Sequence, residues 1–269
     1  MPPEDTVARD DRSRVPKTLA LTAGRDKSGR PETLDVVFRA GEITALLGPT
    51  GSGKSRFLAD IESLACGDTP SGRRLALDGR EPDAEERFQL QGRLVAQLTQ
   101  NMNFVLDMNV RDFLVTHALS RESANPEQAA ERVLAAANEL AGEPFGPAAQ
   151  LTQLSGGQSR ALMIADTALL SWSPVLLIDE IENAGVDKRR ALDLLLASDK
   201  IIVIATHDPV LALSADRRLV FAGGAVVKMQ TRTGEEERIL AELADLEARL
   251  SRVRAQLRAG RELAWDGGG

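Results

Sequence analysis

The 269-residue sequence contains no tyrosine, one cysteine and two histidines. The single cysteine, Cys66, excludes a disulfide bond within the chain and suits a reducing compartment. No run of about 18 apolar residues occurs, and the charged N-terminus lacks the apolar stretch of a signal peptide. We therefore expect a cytoplasmic chain that does not span a membrane by itself.

An excess of basic residues is also missing, because 33 Lys and Arg stand against 40 Asp and Glu. Proteins that bind the backbone of nucleic acids present clusters of Lys and Arg, so we expect no direct nucleic-acid binding. Apolar residues make up 43% and charged residues 27% of the chain, as in ordinary globular proteins. The length suffices for one large domain or two modest ones.

The distribution of apolar residues predicts an α/β fold with a mostly parallel sheet. Three nearly unbroken apolar runs are typical of parallel strands covered on both faces: Glu42–Leu47, Val175–Ile178 and Ile201–Ala205. Further strands are predicted at Thr18–Thr22, Thr33–Phe38 and Gly92–Thr99, the first two in an N-terminal antiparallel β part. Helices are predicted at Ser55–Ala65, Arg111–Leu119, Pro126–Leu140, Gln158–Leu170 and Lys188–Ala197. The helix-rich stretch at about 101–170 predicts a helical subdomain.

A phosphate-binding motif follows the first of these runs. The residues from Gly48 to Ser55 spell G-x-x-x-x-G-K-S, in which glycines let the backbone wrap closely around phosphates. Lys54 brings positive charge to the β and γ phosphates, and the Ser55 hydroxyl can ligate Mg²⁺. We expect nucleotide binding by Gly48, Pro49, Thr50, Gly51, Ser52, Gly53, Lys54, Ser55 and Arg56.

Candidate catalytic residues follow the other apolar runs. Asp179 and Glu180 end the second run, where Asp179 can join the Mg²⁺ shell and Glu180 can point at the attacking water. His207 follows the third run and can reach the γ-phosphate side. Gln100 ends its own strand and can approach the metal and the water, with Gln97 as the alternative. We assign catalytic roles to Glu180, His207 and Gln100, and metal binding to Ser55, Gln100 and Asp179.

A second motif, Leu154-Ser155-Gly156-Gly157-Gln158, lies a hundred residues after the first. A Ser-Gly-Gly turn at a helix N-terminus offers N–H groups and a favourable dipole to an anion. In order, the chain then has a Walker A loop, a Q-loop, an LSGGQ signature, a Walker B strand, a D-loop ending at Asp187 and an H-loop. From about Leu19 to Val227 it resembles the ATP-binding-cassette (ABC) ATPase family.

The resemblance implies an ABC-type P-loop NTPase core at residues 17–233. The preceding residues 1–16 are polar and contain proline, so we expect a flexible N-terminus there. It implies ATP and Mg²⁺ as cofactors, with ATP held between Walker A of one subunit and the signature of another. That adds Ser155, Gly156, Gly157, Gln158 and Asp187 to the nucleotide-binding residues. The second subunit is a second copy or a paralogous ABC subunit.

Two functions fit the resemblance. The first is the ATP-hydrolysing subunit of a membrane transporter, peripheral on the cytoplasmic face and bound to a membrane-spanning permease. The segment from Asn103 to Met108, just after Gln100, is where the family docks that partner. The alternative is a soluble ABC ATPase acting on a cytosolic protein or nucleic-acid complex.

Two features depart from the family pattern. The family usually stacks adenine on an aromatic residue before the Walker lysine, but this chain has no aromatic residue before Phe38. We take Arg25 as the hypothetical replacement, because a guanidinium plane can stack on a base. The D-loop, from Asp179 to Asp187, is one residue longer than usual and lacks the proline, so cross-talk between two sites is expected to differ.

Residues 234–269 are predicted to form a C-terminal amphipathic or coiled-coil helix and tail. Apolar residues recur at steps of 4 and 3, as in a coiled coil: Ile239, Leu243, Leu246, Leu250, Val253 and Leu257. Residues 235–247 carry a net charge of −5, and residues 248–261 carry +5. This pattern favours an antiparallel helix pair across a two-fold axis. A helix lying on its own domain is the alternative.

Overall fold

A computed structural model describes residues 15–99, 104–179 and 186–262. Its strands are β1 (Thr18–Leu21), β2 (Val36–Arg39), β3 (Ile43–Leu47), β4 (Leu75–Leu77), β5 (Val95–Leu98), β6 (Val175–Asp179), β7 (Ile201–Ala205), β8 (Arg217–Ala222) and β9 (Ala225–Thr231). Its helices are α1 (Lys54–Glu62), α2 (Ala84–Leu90), α3 (Val110–Ser120), α4 (Pro126–Leu140), α5 (Gly156–Leu169), α6 (Lys188–Leu196), α7 (Pro209–Ser214) and α8 (Gly234–Arg258).

Six strands form the main sheet in the order β5-β6-β7-β3-β8-β9. The first five run parallel, and β9 returns antiparallel to β8 through a tight turn. The predicted apolar runs are β3, β6 and β7 at its centre, where nearly every side chain is buried. The prediction of an α/β fold with a mostly parallel sheet is therefore confirmed.

Alternate side chains of the central strands point to opposite faces of the sheet and pack into two separate hydrophobic layers. On one face, Leu46, Leu177 and Val203 pack with α1 and with the small antiparallel sheet, whose order is β2-β1-β4. On the other face, Ile178 and Ile204 pack with α5, α6 and α7. Burial on both faces explains why these strands read as continuous apolar runs rather than as alternating ones.

The antiparallel sheet is confirmed, but its second strand is shorter than the predicted Thr33–Phe38. The strand β2 begins at Val36, because the residues before it are held by contacts across the loop. Asp35 accepts a hydrogen bond from the N–H of Ala23 at 2.6 Å, and Glu32 accepts one from Gly24 at 2.8 Å. These carboxylates fasten the loop before β2 and replace ladder hydrogen bonds there.

A buried arginine joins this sheet to the rest of the fold. The Arg73 side chain, 1% exposed, lies between Glu32 at 2.5 Å and Asp60 of α1 at 2.7 Å. Its guanidinium carbon stands 4.9 Å from the centre of the Phe57 ring. Glu32 also accepts a hydrogen bond from the N–H of Val226 in β9. One cation thereby fastens the antiparallel sheet, α1 and the edge of the main sheet together.

The helices α3, α4 and α5 share a separate hydrophobic cluster, as expected for a helical subdomain. The bounds of α4 match the prediction, because Asn125 caps its first turn and Pro126 occupies the first helical position. The side chains of His117 in α3 and Asp166 in α5 meet at 2.7 Å.

The last helix, α8, is 25 residues long and contacts α7. Its first turn is fastened by Glu236, which accepts two hydrogen bonds from Arg218 of β8 at 2.7 and 2.8 Å. Within the described residues, neither α8 nor any other helix has the length and apolar character that crossing a membrane requires.

Candidate functional site

The sequence motifs lie together at the carboxyl-terminal ends of the parallel strands, which form one edge of the main sheet. In the strand register, Leu46 of β3 lies opposite Ala205 of β7, which lies opposite Asp179 of β6. Gly48 follows Leu46 by two residues, and His207 follows Ala205 by two. Neighbouring strands therefore end close to one another. The glycine-rich loop begins at one of these ends, and Asp179 and His207 lie at the other two.

Two predicted catalytic residues, Gln100 and Glu180, lie outside the described residues. Their preceding strands reach the same edge, since Leu98 of β5 lies opposite Ile178 of β6. The alternative glutamine, Gln97, lies inside β5 opposite Leu177.

The segment Gly48–Ser55, the phosphate loop, is a close backbone wrap that depends on glycine. Gly48 and Gly53 have φ angles of 145° and 113°, which side chains rarely adopt. A Cβ at Gly48 would stand 2.6 Å from the carbonyl oxygen of Phe221, and one at Gly53 would stand 2.6 Å from the Cα of Gly224. The end of β8 and the turn that follows it therefore pack closely against the phosphate loop.

The helix after the phosphate loop starts without a side-chain cap. Its N-cap residue is Gly53, which has no side chain to accept the first N–H groups. By contrast, α2 to α7 all begin at side chains that accept such bonds: Asp83, Asn109, Asn125, Ser155, Asp187 and Asp208. The start of α1 is therefore suited to bind a phosphate, because its N–H groups are uncapped and the helix dipole favours an anion there.

Other donors around the phosphate loop have few acceptors. The Lys54 ammonium, largely buried, donates to the carbonyl oxygens of Gly48 at 2.5 Å and Pro49 at 3.4 Å. The Ser52 hydroxyl and Arg56 Nε are buried with no hydrogen-bond partner among the described residues. Since buried polar groups normally have partners, this surplus of donors fits an anionic ligand.

The residues present also fit Mg²⁺. Ser55 lies exposed in the first turn of α1, and Asp179 is half-buried at the end of β6. Hydroxyl and carboxylate oxygens are the hard ligands that Mg²⁺ prefers. Ser55 and Asp179 would hold the ion, which supplies positive charge against the charge that develops on the transferred phosphoryl group.

The signature motif starts a helix of the other subdomain. The hydroxyl of Ser155 accepts a bond from the N–H of Gln158 at 3.3 Å, and the Gln158 side chain accepts one from the N–H of Ser155 at 2.9 Å. Ser155 and Gly156 are exposed, and a Cβ at Gly156 would meet nothing closer than 4.0 Å. The turn is thus a preformed surface feature, open to an approaching group.

The end of the D-loop is fixed by α6 and α4. The Asp187 carboxylate caps α6 by accepting a bond from the N–H of Arg190 at 3.1 Å. Its own N–H donates to the carbonyl of Leu140 at 3.0 Å. Asp187 is exposed, and its predicted contact with nucleotide stays a prediction.

Sequence reasoning missed Lys188, which follows Asp187. Its ammonium contacts Asp208 at 2.5 Å and Glu247 of α8 at 2.9 Å. Burial would lower the pKa of Lys188, but hydrogen bonds to these two carboxylates raise it overall. Asp208 adjoins His207 and caps α7, so Lys188 ties the D-loop end, the H-loop and α8 together. Contacts across 20 and 59 residues leave no local signal in the sequence.

Replacing Lys188 with methionine is expected to lower the free energy of unfolding by about 1–2 kcal/mol, because two partly buried carboxylates lose their cation. We expect kcat for ATP hydrolysis to fall severalfold as well, since Asp208 beside His207 is freed. Urea unfolding and steady-state ATPase assays would measure both. Arg189→Met, at the exposed next position, is the control, and equal losses in the two variants would contradict this role.

The loop expected to contact adenine reaches the phosphate loop through a different residue. The Arg25 guanidinium donates to the carbonyl of Gly29 at 3.2 Å, within its own loop. The Lys27 ammonium instead donates to the carbonyl of Gly51 at 2.6 Å, and the Lys27 N–H donates to Gly223 at 2.9 Å. Lys27 is therefore a second cation at the phosphate loop that the motif does not reveal.

Replacing Lys27 with methionine is expected to raise the dissociation constant for ATP about three- to tenfold. The bond is charge-assisted but exposed, which keeps its contribution near or below 1.4 kcal/mol. Titration with a fluorescent ATP analogue would measure the change, with Arg25→Ala measured beside it. No change in Lys27→Met would contradict its role, and no change in Arg25→Ala would contradict stacking on the base.

Comparisons with known proteins identify the family. The family model described as ABC transporter matches residues 32–183. An uncharacterized ABC transporter ATP-binding protein of Methanocaldococcus jannaschii is 46% identical over 92% of this chain and 95% of its own length. The phosphonates import ATP-binding protein PhnC of Stutzerimonas stutzeri is 30% identical over 81% of this chain and 85% of its own.

Solved structures share the fold. The cbiO1 protein of Clostridium perfringens, part of an ABC transporter complex, has a TM-score of 0.58 and 22% identity over 88% of this chain and 98% of its own. A dimeric ATP-binding cassette, MJ0796 bound to ADP and phosphate, has a TM-score of 0.59 and 21% identity over 80% of this chain and 99% of its own. The chain belongs to the ABC transporter family, as an ATP-binding subunit that hydrolyses ATP.

Proposed function

We propose that the chain hydrolyses ATP at sites shared between two subunits, either two copies or this chain and a paralogous ABC subunit. The observation that carries the proposal is the uncapped start of α1 beside the phosphate loop, at the sheet edge that Asp179 and His207 share. The exposed signature turn of a second subunit supplies the opposite wall. The Ser155 hydroxyl and the N–H groups of Gly156 and Gly157 then face the phosphates.

Each residue of the site has a specific role in this proposal. Lys54 and the N–H groups of the phosphate loop hold the β and γ phosphates and neutralise their charge. Glu180 orients and polarises the water that attacks the γ phosphorus, and ADP is the leaving group. His207 and Gln100 position the γ-phosphate and the water. This chemistry depends on positioning more than on covalent catalysis.

We further propose that a membrane-spanning permease binds this subunit on the cytoplasmic face. The segment after Gln100, the docking segment Asn103–Met108, supports this. In it, Val105 is 90% exposed and Leu106 is 45% exposed, although both are large and apolar. Apolar side chains exposed together mark contact surfaces. One relative is an import ATP-binding protein and another is part of an ABC transporter complex, which agrees with this assignment.

A pull-down tests the membrane partner. Tagged Glu180→Gln protein, loaded with ATP, is recovered from detergent-solubilised source cells and its partners are identified by mass spectrometry. A stoichiometric protein with several membrane spans supports the transporter. Recovery with cytosolic partners alone would favour the alternative, a soluble ABC ATPase that remodels a cytosolic complex.

A matched variant makes the test specific. Val105→Asp combined with Leu106→Asp alters exposed side chains only, so we expect normal ATP binding with loss of the permease. Retention of the same membrane protein by this variant would show that the docking segment is not the contact.

A further inference from the structure

Most of the apolar stripe of α8 is exposed on the part of the chain that the structure describes. We call Ile239, Leu243, Leu246, Leu250, Val253 and Leu257 the α8 stripe. All of them except Leu243, which is half-buried, have between 39% and 58% of their surface exposed. Large apolar side chains aligned on one exposed face are unusual on a subunit that works alone.

A neighbouring face fastens α8 to its own domain. Leu240, Ala244 and Glu247 are half-buried there, beside Leu243 of the stripe, and the Glu247 carboxylate accepts a bond from Lys188 at 2.9 Å. The helix therefore lies on its domain, as one alternative from the sequence states, but it does so without covering most of the α8 stripe. Packing among the described residues does not account for the heptad pattern.

The charges along α8 indicate what covers the stripe. Residues 235–247 carry a net charge of −5 and residues 248–261 carry +5. The axes of paired helices lie about 8–10 Å apart, so charged side chains that flank the contact approach each other more closely than the screening length of about 8 Å at physiological salt. A parallel copy would set like charges together, whereas an antiparallel copy sets each half against its opposite. Arg249, Arg252 and Arg254 make no ion pair with any described residue, so they remain for a partner.

We propose that α8 pairs with α8 of a second copy, antiparallel across a two-fold axis. One register matches the whole stripe. Ile239 then packs against the partner's Leu257, Leu243 against the partner's Val253, and Leu246 against the partner's Leu250. The contact is isologous, so the same stripe serves both subunits and the assembly closes at two.

This contact differs from the nucleotide sandwich, because no residue of the α8 stripe belongs to the nucleotide site. Glu247 connects the middle of α8 to Lys188, next to the end of the D-loop. If the sandwich of the proposed function holds, the paired helices keep two subunits together after ATP is hydrolysed. A dimer is therefore expected without nucleotide.

Disulfide cross-linking tests the orientation and the register. In a Cys66→Ser background, the double variant Ile239→Cys with Leu257→Cys is oxidised without nucleotide and run on a non-reducing gel. We expect most of it as covalent dimer. The two positions are about 27 Å apart along one helix, so they cannot bridge within a chain. Each single variant should stay monomeric. Cross-linking of single variants, or a monomeric double variant, would overturn the proposal.

Solution mass tests the contact without new cysteines. Leu246→Glu with Leu250→Glu changes exposed side chains, so the fold should survive, and we expect the dimer dissociation constant to rise at least tenfold in nucleotide-free sedimentation. Ala248→Glu, exposed on the opposite face of α8, should change nothing. An unchanged dimer in the double variant would overturn the proposal.

ATP separates this proposal from the proposed function. If the wild type is monomeric without nucleotide and Glu180→Gln dimerises with ATP, the α8 pairing fails and the sandwich stands. If the nucleotide-free dimer depends on Leu246 and Leu250 but ATP leaves the signature turns unprotected from hydrogen exchange, the pairing stands and the sandwich fails.

Discussion

Glu180→Gln is expected to bind ATP normally, to hydrolyse it about 10²–10³-fold more slowly and to accumulate as an ATP-bound dimer. The amide keeps the size of the side chain but no longer polarises the attacking water. Binding should persist because Lys54 and the start of α1, which hold the phosphates, are unchanged. Single-turnover ATPase assays would measure binding and turnover. The ATP-bound dimer would be followed as ATP-dependent protection of the signature turn from hydrogen exchange, since pairing through α8 already gives a dimer without nucleotide.

The matched control is Glu182→Gln, which makes the same change two residues further along the D-loop. Its turnover should stay within a few fold of the wild type, because no role in the chemistry is assigned to Glu182. Near-normal turnover in Glu180→Gln would move the catalytic role to another residue.

The largest effect on stability is expected for Arg73→Met, which should lower the free energy of unfolding by about 3–5 kcal/mol. Burial alone would raise the pKa of Glu32, but hydrogen bonds from Arg73 and from the N–H groups of Gly24 and Val226 lower it below its ordinary 4.5. Without the guanidinium, the buried carboxylates of Glu32 and Asp60 would both lose their cation. Urea unfolding followed by circular dichroism would measure the loss.

The next residue offers an internal control. Arg74 pairs with Glu81 at 2.7 Å, but both side chains are nearly half exposed. Exposed pairs contribute about 0–1 kcal/mol, so Arg74→Met should be close to neutral. Similar losses for Arg73→Met and Arg74→Met would show that burial does not decide the effect.

Much of the fold could be predicted because its strongest signals are local. The buried strands β3, β6 and β7 are apolar runs, and α4 carries its cap and its proline in the sequence. The strand β8 was missed because it starts with Arg217 and Arg218. These charges are matched by Glu42 and Glu236, contacts that only the folded chain reveals.

Short or polar elements were missed for other reasons. The strand β4 has three residues, and β9 exposes most of its side chains. The helix α2 has no buried residue, so it lacks apolar periodicity, although Asp83 and Glu86 form a capping box that marks its start. That signal could have found it.

In the candidate site, too, residues within local motifs could be predicted, whereas residues that act through distant contacts could not. The phosphate loop and Asp179 follow from motif and strand, and the sheet register brings them to one edge. Lys27, Arg73 and Lys188 act through side-chain or backbone partners at least 13 residues away, so no motif contains them. The tail helix was predicted, but which face of it packs on the domain depends on α7 and Lys188.

Because α1 lacks a side-chain cap at the phosphate loop, the stability of the chain is expected to depend on the concentration of nucleotide. Glycine in place of a capping side chain costs a helix only a few tenths of a kcal/mol, and bound phosphate satisfies the free N–H groups only while nucleotide is present. A ligand that binds the folded chain alone stabilises it by about 2.7 kcal/mol at a hundred times its dissociation constant. The melting temperature should therefore follow nucleotide concentration, and a cell depleted of ATP would hold a subunit that is more easily unfolded and degraded.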